Sequence, residues 1–150
     1  MFSRKDGIFI QAPPLAVYDY VSDLTRHPEW AKQKMEMMVE GEKIAPETAF
    51  TTHISFMGKV PGKGRVVEMQ SPGKFSYECK DSSGTYLWTM DAQPEGSGTK
   101  LTYSFDRLAA PLYFKLLQGV VFYPIFGRGM MSTALANIKR NVEASVGAKS

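Results

Sequence analysis

The sequence contains little of what secreted proteins and many enzymes are built from. Its 150 residues include a single cysteine, Cys79, and two histidines. One cysteine cannot form an internal disulfide, so we expect a reducing compartment, the cytoplasm. The N-terminal Met-Phe-Ser-Arg-Lys-Asp-Gly has no apolar run of signal-peptide length. Polar residues and a proline interrupt the longest apolar segment, residues 112–127, which argues against a transmembrane segment.

Strong charge is also absent. The chain carries 18 Lys and Arg against 15 Asp and Glu, a net charge of +3 with both signs interspersed. We therefore expect no nucleic-acid partner. The hydrophobic fraction of 43% excludes a disordered chain. The length predicts one domain over residues 1–150 with a core of its own.

No group of residues has the spacing of a catalytic or metal site. His53 falls on the polar face of a predicted strand, and His27 precedes Pro28 in a predicted short helix. We interpret His53 as a surface residue and His27 as a capping or surface-packing residue. Cys79 is predicted on an apolar strand face, where a thiol behaves as a small hydrophobic group. The sequence thus predicts no catalytic residue, no metal and no cofactor.

Hydrophobic periodicity predicts a strand at residues 8–10, a helix after Pro13-Pro14 and a second short helix over residues 24–30. Strands are predicted at residues 35–44, 48–57, 65–70, 74–80, 85–92 and 99–107, with a loop over residues 58–64. The short connections between the later strands force an antiparallel meander. Alternating residues give each of these strands one apolar and one polar face.

The last third of the chain, Pro111 to Val142, has the pattern of one long helix. Residues 112–127 are apolar almost all round, and such a helix needs cover on every side. Only a curved sheet wrapped around the helix could supply that cover in a domain of this size. A sheet closed around a helix tends to leave a cavity, and this cavity is where we expect function.

Two local motifs support this architecture. Residues 10–30, Ile-Gln-Ala-Pro-Pro through Pro-Glu-Trp, and residues 98–102, Gly-Thr-Lys-Leu-Thr, are similar to the opening and the last-strand entry of one superfamily. Nearly the whole chain resembles the START-like, birch-pollen-allergen-like and polyketide cyclase/dehydrase-like proteins, also called SRPBCC. The resemblance implies a helix-grip α+β fold: a curved antiparallel sheet around a long C-terminal helix, with two short helices after the first strand.

The expected ligand-binding residues are apolar and aromatic side chains facing the cavity, with one cation at the end of the last strand. They are Phe56, Met69, Tyr77, Trp88, Tyr103, Arg107, Leu117, Val121 and Met131. Pro124 should break the long helix, and nearby glycines lower its local stability. A movable gate formed by Gly119, Pro124 and Gly127 is one interpretation, and a static bend is the other.

The sequence favours binding of a hydrophobic small molecule, such as a lipid, an isoprenoid quinone or a polycyclic aromatic, and the protein could also transport it. The ligand would be held mainly by apolar burial. Two alternatives stay open. One is a polyketide cyclase/dehydratase-type enzyme that templates its substrate by shape. The other is a module that contacts a protein or a membrane surface peripherally through residues 112–127. We expect a monomer or a weak homodimer.

Overall fold

The computed structural model describes residues 3–32, 34–55, 59–82, 84–117 and 129–149. Within them, seven strands form one curved antiparallel sheet in the order β1-β7-β6-β5-β4-β3-β2. Strands β2 to β7 are neighbours in sequence order. Strand β1 pairs with β7 and forms one edge of the sheet, and β2 forms the other. The strands are β1 (Ser3–Ile10), β2 (Met35–Val39), β3 (Ala49–Ser55), β4 (Lys59–Gln70), β5 (Lys74–Asp81), β6 (Gly84–Glu95) and β7 (Gly98–Ala109).

The predicted alternation of apolar and polar faces is confirmed on the central strands. Phe75 and Tyr77 on β5 and Leu101, Tyr103 and Phe105 on β7 are all buried. These side chains line the concave face of the sheet, where they form much of the hydrophobic core. The polar residues that alternate with them lie on the outer face, which is mostly accessible to solvent, although Ser76 on this face is itself buried.

Two short helical segments follow β1, as predicted. Helix α1 (Pro14–Val21) begins with Pro14 at its first position, where the missing proline N–H costs no hydrogen bond. A 3-10 helix (Leu24–Glu29) follows, and the Asp23 side chain caps it by accepting a hydrogen bond from the backbone N–H of Thr25 at 3.1 Å. Helix α1 contacts β5, β6 and β7, whereas the 3-10 helix lies against β2.

The C-terminal helix α3 (Met130–Lys149) packs over β1 and β7 and against α1. Leu135, Ile138 and Val142 form its buried stripe at helical spacing. Polar bonds fix its position at the sheet edge: the Gln11 N–H donates to the Glu143 carboxylate at 3.0 Å, and Lys139 donates to the same carboxylate at 2.7 Å. These bonds lower the pKa of Glu143.

The prediction of a single long helix from Pro111 to Val142 is wrong. A short helix α2 (Leu112–Leu117) follows β7, and α3 begins only at Met130. Gly129, just before α3, has a φ of +75°, which no position inside a right-handed α-helix adopts. The expected cover of α2 on every side is also wrong. Its side chains Leu112, Tyr113 and Leu116 are 74%, 61% and 67% exposed.

The predicted loop over residues 58–64 is also wrong, because β4 already begins at Lys59. The Gly-Lys pairs and the proline suggested a loop, but the glycines allow close packing inside the sheet. A Cβ on Gly64 would overlap the Phe50 ring. Pro61 is tolerated because β5 pairs with β4 only from Lys63 onward, so the missing N–H at Pro61 leaves no bond to β5 unmade.

A buried hydrogen bond joins the start of β7 to the turn before α1. Thr99 is fully buried, and its Oγ1 donates to the Ala12 carbonyl at 2.7 Å. We expect Thr99→Val to lower the free energy of unfolding by about 1–2 kcal/mol, because the Ala12 carbonyl loses this donor. Urea denaturation measures the change. Thr102→Val on the outer face of the same strand is the control, and an equal loss there would contradict the assignment.

Candidate functional site

The 3-10 helix presents three side chains to the concave face of the sheet. In a 3-10 helix residues three apart lie on one face, and Leu24, His27 and Trp30 have this spacing. All three are buried, Leu24 and Trp30 almost completely. Pro28 keeps the segment short, and the Trp30 N–H donates to the His27 carbonyl at 3.2 Å. On the other side, Asn137 of α3 donates to the Trp30 carbonyl at 3.1 Å, which locks the segment under α3.

Five aromatic side chains meet where this helical face reaches the sheet. His27 lies 4.1 Å from Trp30 and 6.0 Å from Tyr77, measured between ring centroids. Trp30 meets Tyr103 edge-on at 5.8 Å, and Tyr103 lies 5.4 Å from Trp88. Trp88 stacks on its directly paired neighbour Tyr77 at 6.4 Å. These contacts close a circuit, which we call the five-ring cluster.

The five-ring cluster contains polar atoms that have no hydrogen-bond partner in the described part of the chain. Within the described residues, Nδ1 of His27 and Nε1 of Trp30 are buried and make no hydrogen bond, and the same holds for the Tyr18 hydroxyl on α1. A buried polar atom without a partner is destabilising by about 1–3 kcal/mol. Nearly all buried polar atoms in proteins are paired, so an unpaired one requires an explanation. A bound molecule with a polar atom is one way to satisfy them.

The two tyrosines of the cluster are hydrogen bonded to each other. Burial raises the pKa of both Tyr77 and Tyr103, and the bond between them modifies each value further. Both hydroxyls therefore stay protonated at neutral pH and act as hydrogen-bond donors rather than as bases. Cys79, two residues beyond Tyr77 on the same strand face, has its pKa raised by burial to about 12. Its thiol is accordingly not a nucleophile at neutral pH.

The placement of His27 differs from the prediction. It is not a capping or surface residue but a buried one, and desolvation lowers its pKa to about 4. The imidazole is thus neutral at physiological pH. The sequence did contain a signal for this burial, because Leu24, His27 and Trp30 recur every three residues around a proline. Residues three apart lie on one face of a 3-10 helix, whereas in an α-helix they drift around the axis, so a search for α-helical periodicity misses this pattern.

The predicted ligand-binding residues fall into separate groups in the structure. Tyr77, Tyr103 and the half-buried Trp88 meet in the five-ring cluster, while Met131 is buried at the start of α3. Met69 lies elsewhere, in a groove of about 480 Å³ between the α1 end and the β2–β3 connection. This groove is lined by Ser22, Asp23, Thr25, Val39, Gly41, Glu42, Ile44 and Met69.

Arg107 lies near the end of β7, paired across the sheet with the buried Tyr86. Its alternation with Tyr103 and Phe105 places it on the concave side. Leu117 ends α2. The remaining predicted residues lie outside the described part of the chain: Phe56, Val121 and the gate residues Gly119, Pro124 and Gly127.

A metal centre finds no support in the described ranges, where no group of His, Cys, Asp and Glu side chains could hold an ion. In the same ranges no helix is both long and apolar enough to span a membrane.

A family model described as polyketide cyclase / dehydrase and lipid transport matches residues 1–143. A search of curated proteins gave no match.

The fold recurs in solved structures of low sequence identity. The chain is similar to TTHA0849 from Thermus thermophilus, with 21% identity, a TM-score of 0.75 and coverage of 96% of this chain and 99% of that one. Protein CV1439 from Chromobacterium violaceum gives 16% identity, a TM-score of 0.73 and coverage of 95% and 99%. DynU16, a putative protein in the dynemicin biosynthetic locus, gives 12% identity, a TM-score of 0.62 and coverage of 95% and 48%.

The burial of His27 predicts a pH dependence of stability. Between pH 4 and 6.5 the unfolded chain protonates this histidine, whereas the folded protein keeps it neutral. Its contribution to stability is therefore complete above pH 6.5 and is lost as the pH falls through 4. We expect the preferential protonation of His27 in the unfolded chain to lower the free energy of unfolding by up to about 3 kcal/mol as the pH falls. Denaturant titration at each pH measures this change.

His27→Gln should lack this component of the pH dependence. His53→Gln, on the outer face of β3, is the matched control and should retain it. Equal pH profiles for the two variants would contradict the assignment of a buried neutral His27.

Proposed function

The chain belongs to the polyketide cyclase / dehydrase and lipid transport family, and on that premise we propose that it binds a hydrophobic small molecule on the concave face of its sheet. The binding site includes the five-ring cluster, with α3 and the 3-10 helix on its sides. Apolar burial supplies most of the affinity, and a few polar atoms orient the ligand.

One observation carries this proposal: a buried aromatic wall holds two polar atoms that find no partner among the described residues. Trp30 Nε1 can only donate a hydrogen bond, and the neutral His27 Nδ1 can donate or accept according to its tautomer. Such atoms lower the stability of a hydrophobic core, because each one loses its hydrogen bonds to water without gaining a partner. A ligand oxygen near the two rings would accept from the Trp30 indole and so offset its desolvation.

The surrounding rings indicate the body of the ligand. Trp88 is half-buried although it points to the concave face, and it forms close ring contacts with Tyr103 and with Phe105, at 4.8 Å. Flat aromatic walls favour a planar or conjugated molecule through offset and edge-on packing. We propose an apolar, ring-containing ligand with a hydroxyl or carbonyl group, which fits a quinone or a polycyclic aromatic better than a simple acyl chain.

The remaining predicted positions would extend the wall of the binding site and form its entrance. Phe56, Leu117 and Val121 would extend the apolar wall, and Arg107 would meet a polar end of the ligand. Gly119, Pro124 and Gly127 would form the gate, since entry to an enclosed site requires one wall to open. Transport of the ligand between donors and acceptors would follow from reversible opening of this gate.

A second candidate is a polyketide cyclase/dehydratase, favoured by the Tyr77–Tyr103 pair. Two protonated hydroxyls in a dry site can stabilise charge that develops on a substrate carbonyl. The neutral His27 imidazole lies 6.0 Å from Tyr77 between ring centroids, within the same wall. The protein can be incubated with a linear polyketide. Recovery of that polyketide in cyclised form would favour this enzyme over a binding protein.

Native mass spectrometry of freshly purified protein is the direct test of binding. The expected result is a mass addition that disappears on organic extraction and yields an apolar compound with an oxygen group. A protein that carries no addition, and that binds neither 2-naphthol nor naphthalene in calorimetry, would contradict the proposed function.

Trp30→Phe tests the role of the indole, because it removes Nε1 and retains a ring. We expect the affinity for 2-naphthol to fall by about five- to tenfold more than the affinity for naphthalene, the value of one hydrogen bond, since both ligands lose the same apolar contact area. Titration calorimetry measures both. Trp88→Phe is the matched control: it makes the same change at an indole whose Nε1 is not one of the buried unpaired atoms, and it should weaken both ligands alike. An unchanged ratio of the two affinities in Trp30→Phe would rule out the indole as the orienting group.

A further inference from the structure

A short stretch after the last strand concentrates exposed apolar side chains. Leu108, at the end of β7, is 51% exposed, and Leu112, Tyr113 and Leu116 of α2 are more exposed still. Burying apolar side chains is favourable, so their clustering within nine residues requires an explanation. We call these four residues the apolar tip. Lys115 lies within α2 and is exposed as well.

The apolar tip lies at one end of the sheet, which the strand registers define. The turn between β5 and β6 packs beside it: a Cβ on Gly84 would overlap the Ala109 carbonyl and come within 3.1 Å of the Ala110 Cβ. Lys80 is next to this turn, and Lys63 is its direct cross-strand partner. The tip and these lysines therefore occupy the same end of the molecule.

That end is basic. Lys63 and Lys80 are both exposed, and like charges directly opposed on two strands are destabilising. Lys115 adds positive charge on α2 itself. The opposite end, at the β2–β3, β4–β5 and β6–β7 turns, carries charges of both signs. Its acids are Glu40, Glu42, Glu47, Glu68 and Glu95, and its cations are Lys43, Arg65, Lys74 and Lys100, with Arg65 paired to Glu47 and Lys74 to Glu68. The excess of positive charge therefore lies at the end that holds the apolar residues.

We propose that the apolar tip docks on the surface of an anionic lipid bilayer, with Lys63, Lys80 and Lys115 facing the lipid headgroups. Leucine side chains enter the boundary between headgroups and acyl chains, and the Tyr113 ring suits that boundary because one end is apolar and the other polar. Lys115 can extend its ammonium group to the phosphates from the same helix. This docking is separate from ligand binding at the five-ring cluster.

The charge around the apolar tip argues for a bilayer rather than a second copy of the chain. A stable protein interface buries about 800 Å² per partner, more than four partly exposed side chains provide by themselves. A membrane contact has no such minimum, because a few inserted side chains and several basic residues add their contributions. The bilayer also accounts for the opposed lysines, which an apolar dimer contact would leave unexplained.

Flotation with lipid vesicles tests the proposal on the whole chain. The wild type should bind vesicles of equal parts phosphatidylcholine and phosphatidylglycerol, bind pure phosphatidylcholine weakly, and dissociate as salt screens the charges. The double variant Leu112→Ser, Leu116→Ser should lose about tenfold or more of the binding to anionic vesicles. Lys63→Gln with Lys80→Gln should reduce binding and flatten its salt dependence.

Two control pairs make the test specific. Leu15→Ser with Met38→Ser removes apolar side chains of similar exposure, 53% and 54%, from other surfaces and should leave vesicle binding intact. Lys43→Gln with Lys100→Gln removes charges at the opposite end and should do the same. Wild-type protein that does not float with anionic vesicles overturns the proposal. Equal losses of vesicle binding in the tip variants and the control variants would also overturn it. The same holds if the wild type does not bind vesicles but forms a dimer in sedimentation velocity, and the tip variant abolishes that dimer.

Discussion

The structure depends on covering the concave face of one curved sheet. Seven strands turn aromatic and branched side chains inward, and leaving this surface in water would remove most of the driving force for folding. Helix α3 covers the β1–β7 side, α1 covers β5 to β7, and the 3-10 helix covers the side of β2. The position of each side chain in the five-ring cluster follows from which helical segment packs against which strand.

The site arises at the junction of these covers. Where α1 ends and the 3-10 helix begins, the chain changes from a period of 3.6 to one of three residues. This change brings an imidazole and an indole onto the two tyrosines of β5 and β7. Asn137 then holds the segment from α3. Packing therefore places polar ring atoms in a dry environment, where their hydrogen-bond demands are strongest.

Two surfaces with different chemistry result from the same topology. The five-ring cluster is aromatic and largely buried, with Trp88 half-buried, whereas the apolar tip is exposed and bordered by lysines. They are linked through β7, which contributes Tyr103 to the first and Leu108 to the second. A ligand-binding face and a docking end on one strand would allow a bound molecule to be collected from, or delivered to, the surface on which the protein rests.

The sequence by itself determined the order of elements, the inward faces of the strands and the family, because periodicity of two and local capping and turn residues are short-range properties. It did not by itself determine the exposure of α2 or the burial of His27, for which the three-residue spacing of Leu24, His27 and Trp30 is a signal but not a proof. A lone histidine next to a proline is compatible with surface or core, and an apolar segment is compatible with a buried or a docking helix. Only the tertiary structure decided these, since burial depends on which distant strands and helices pack against a segment. The position of the break at Gly129 belongs to the same class, because Gly129 permits a left-handed conformation but does not require it.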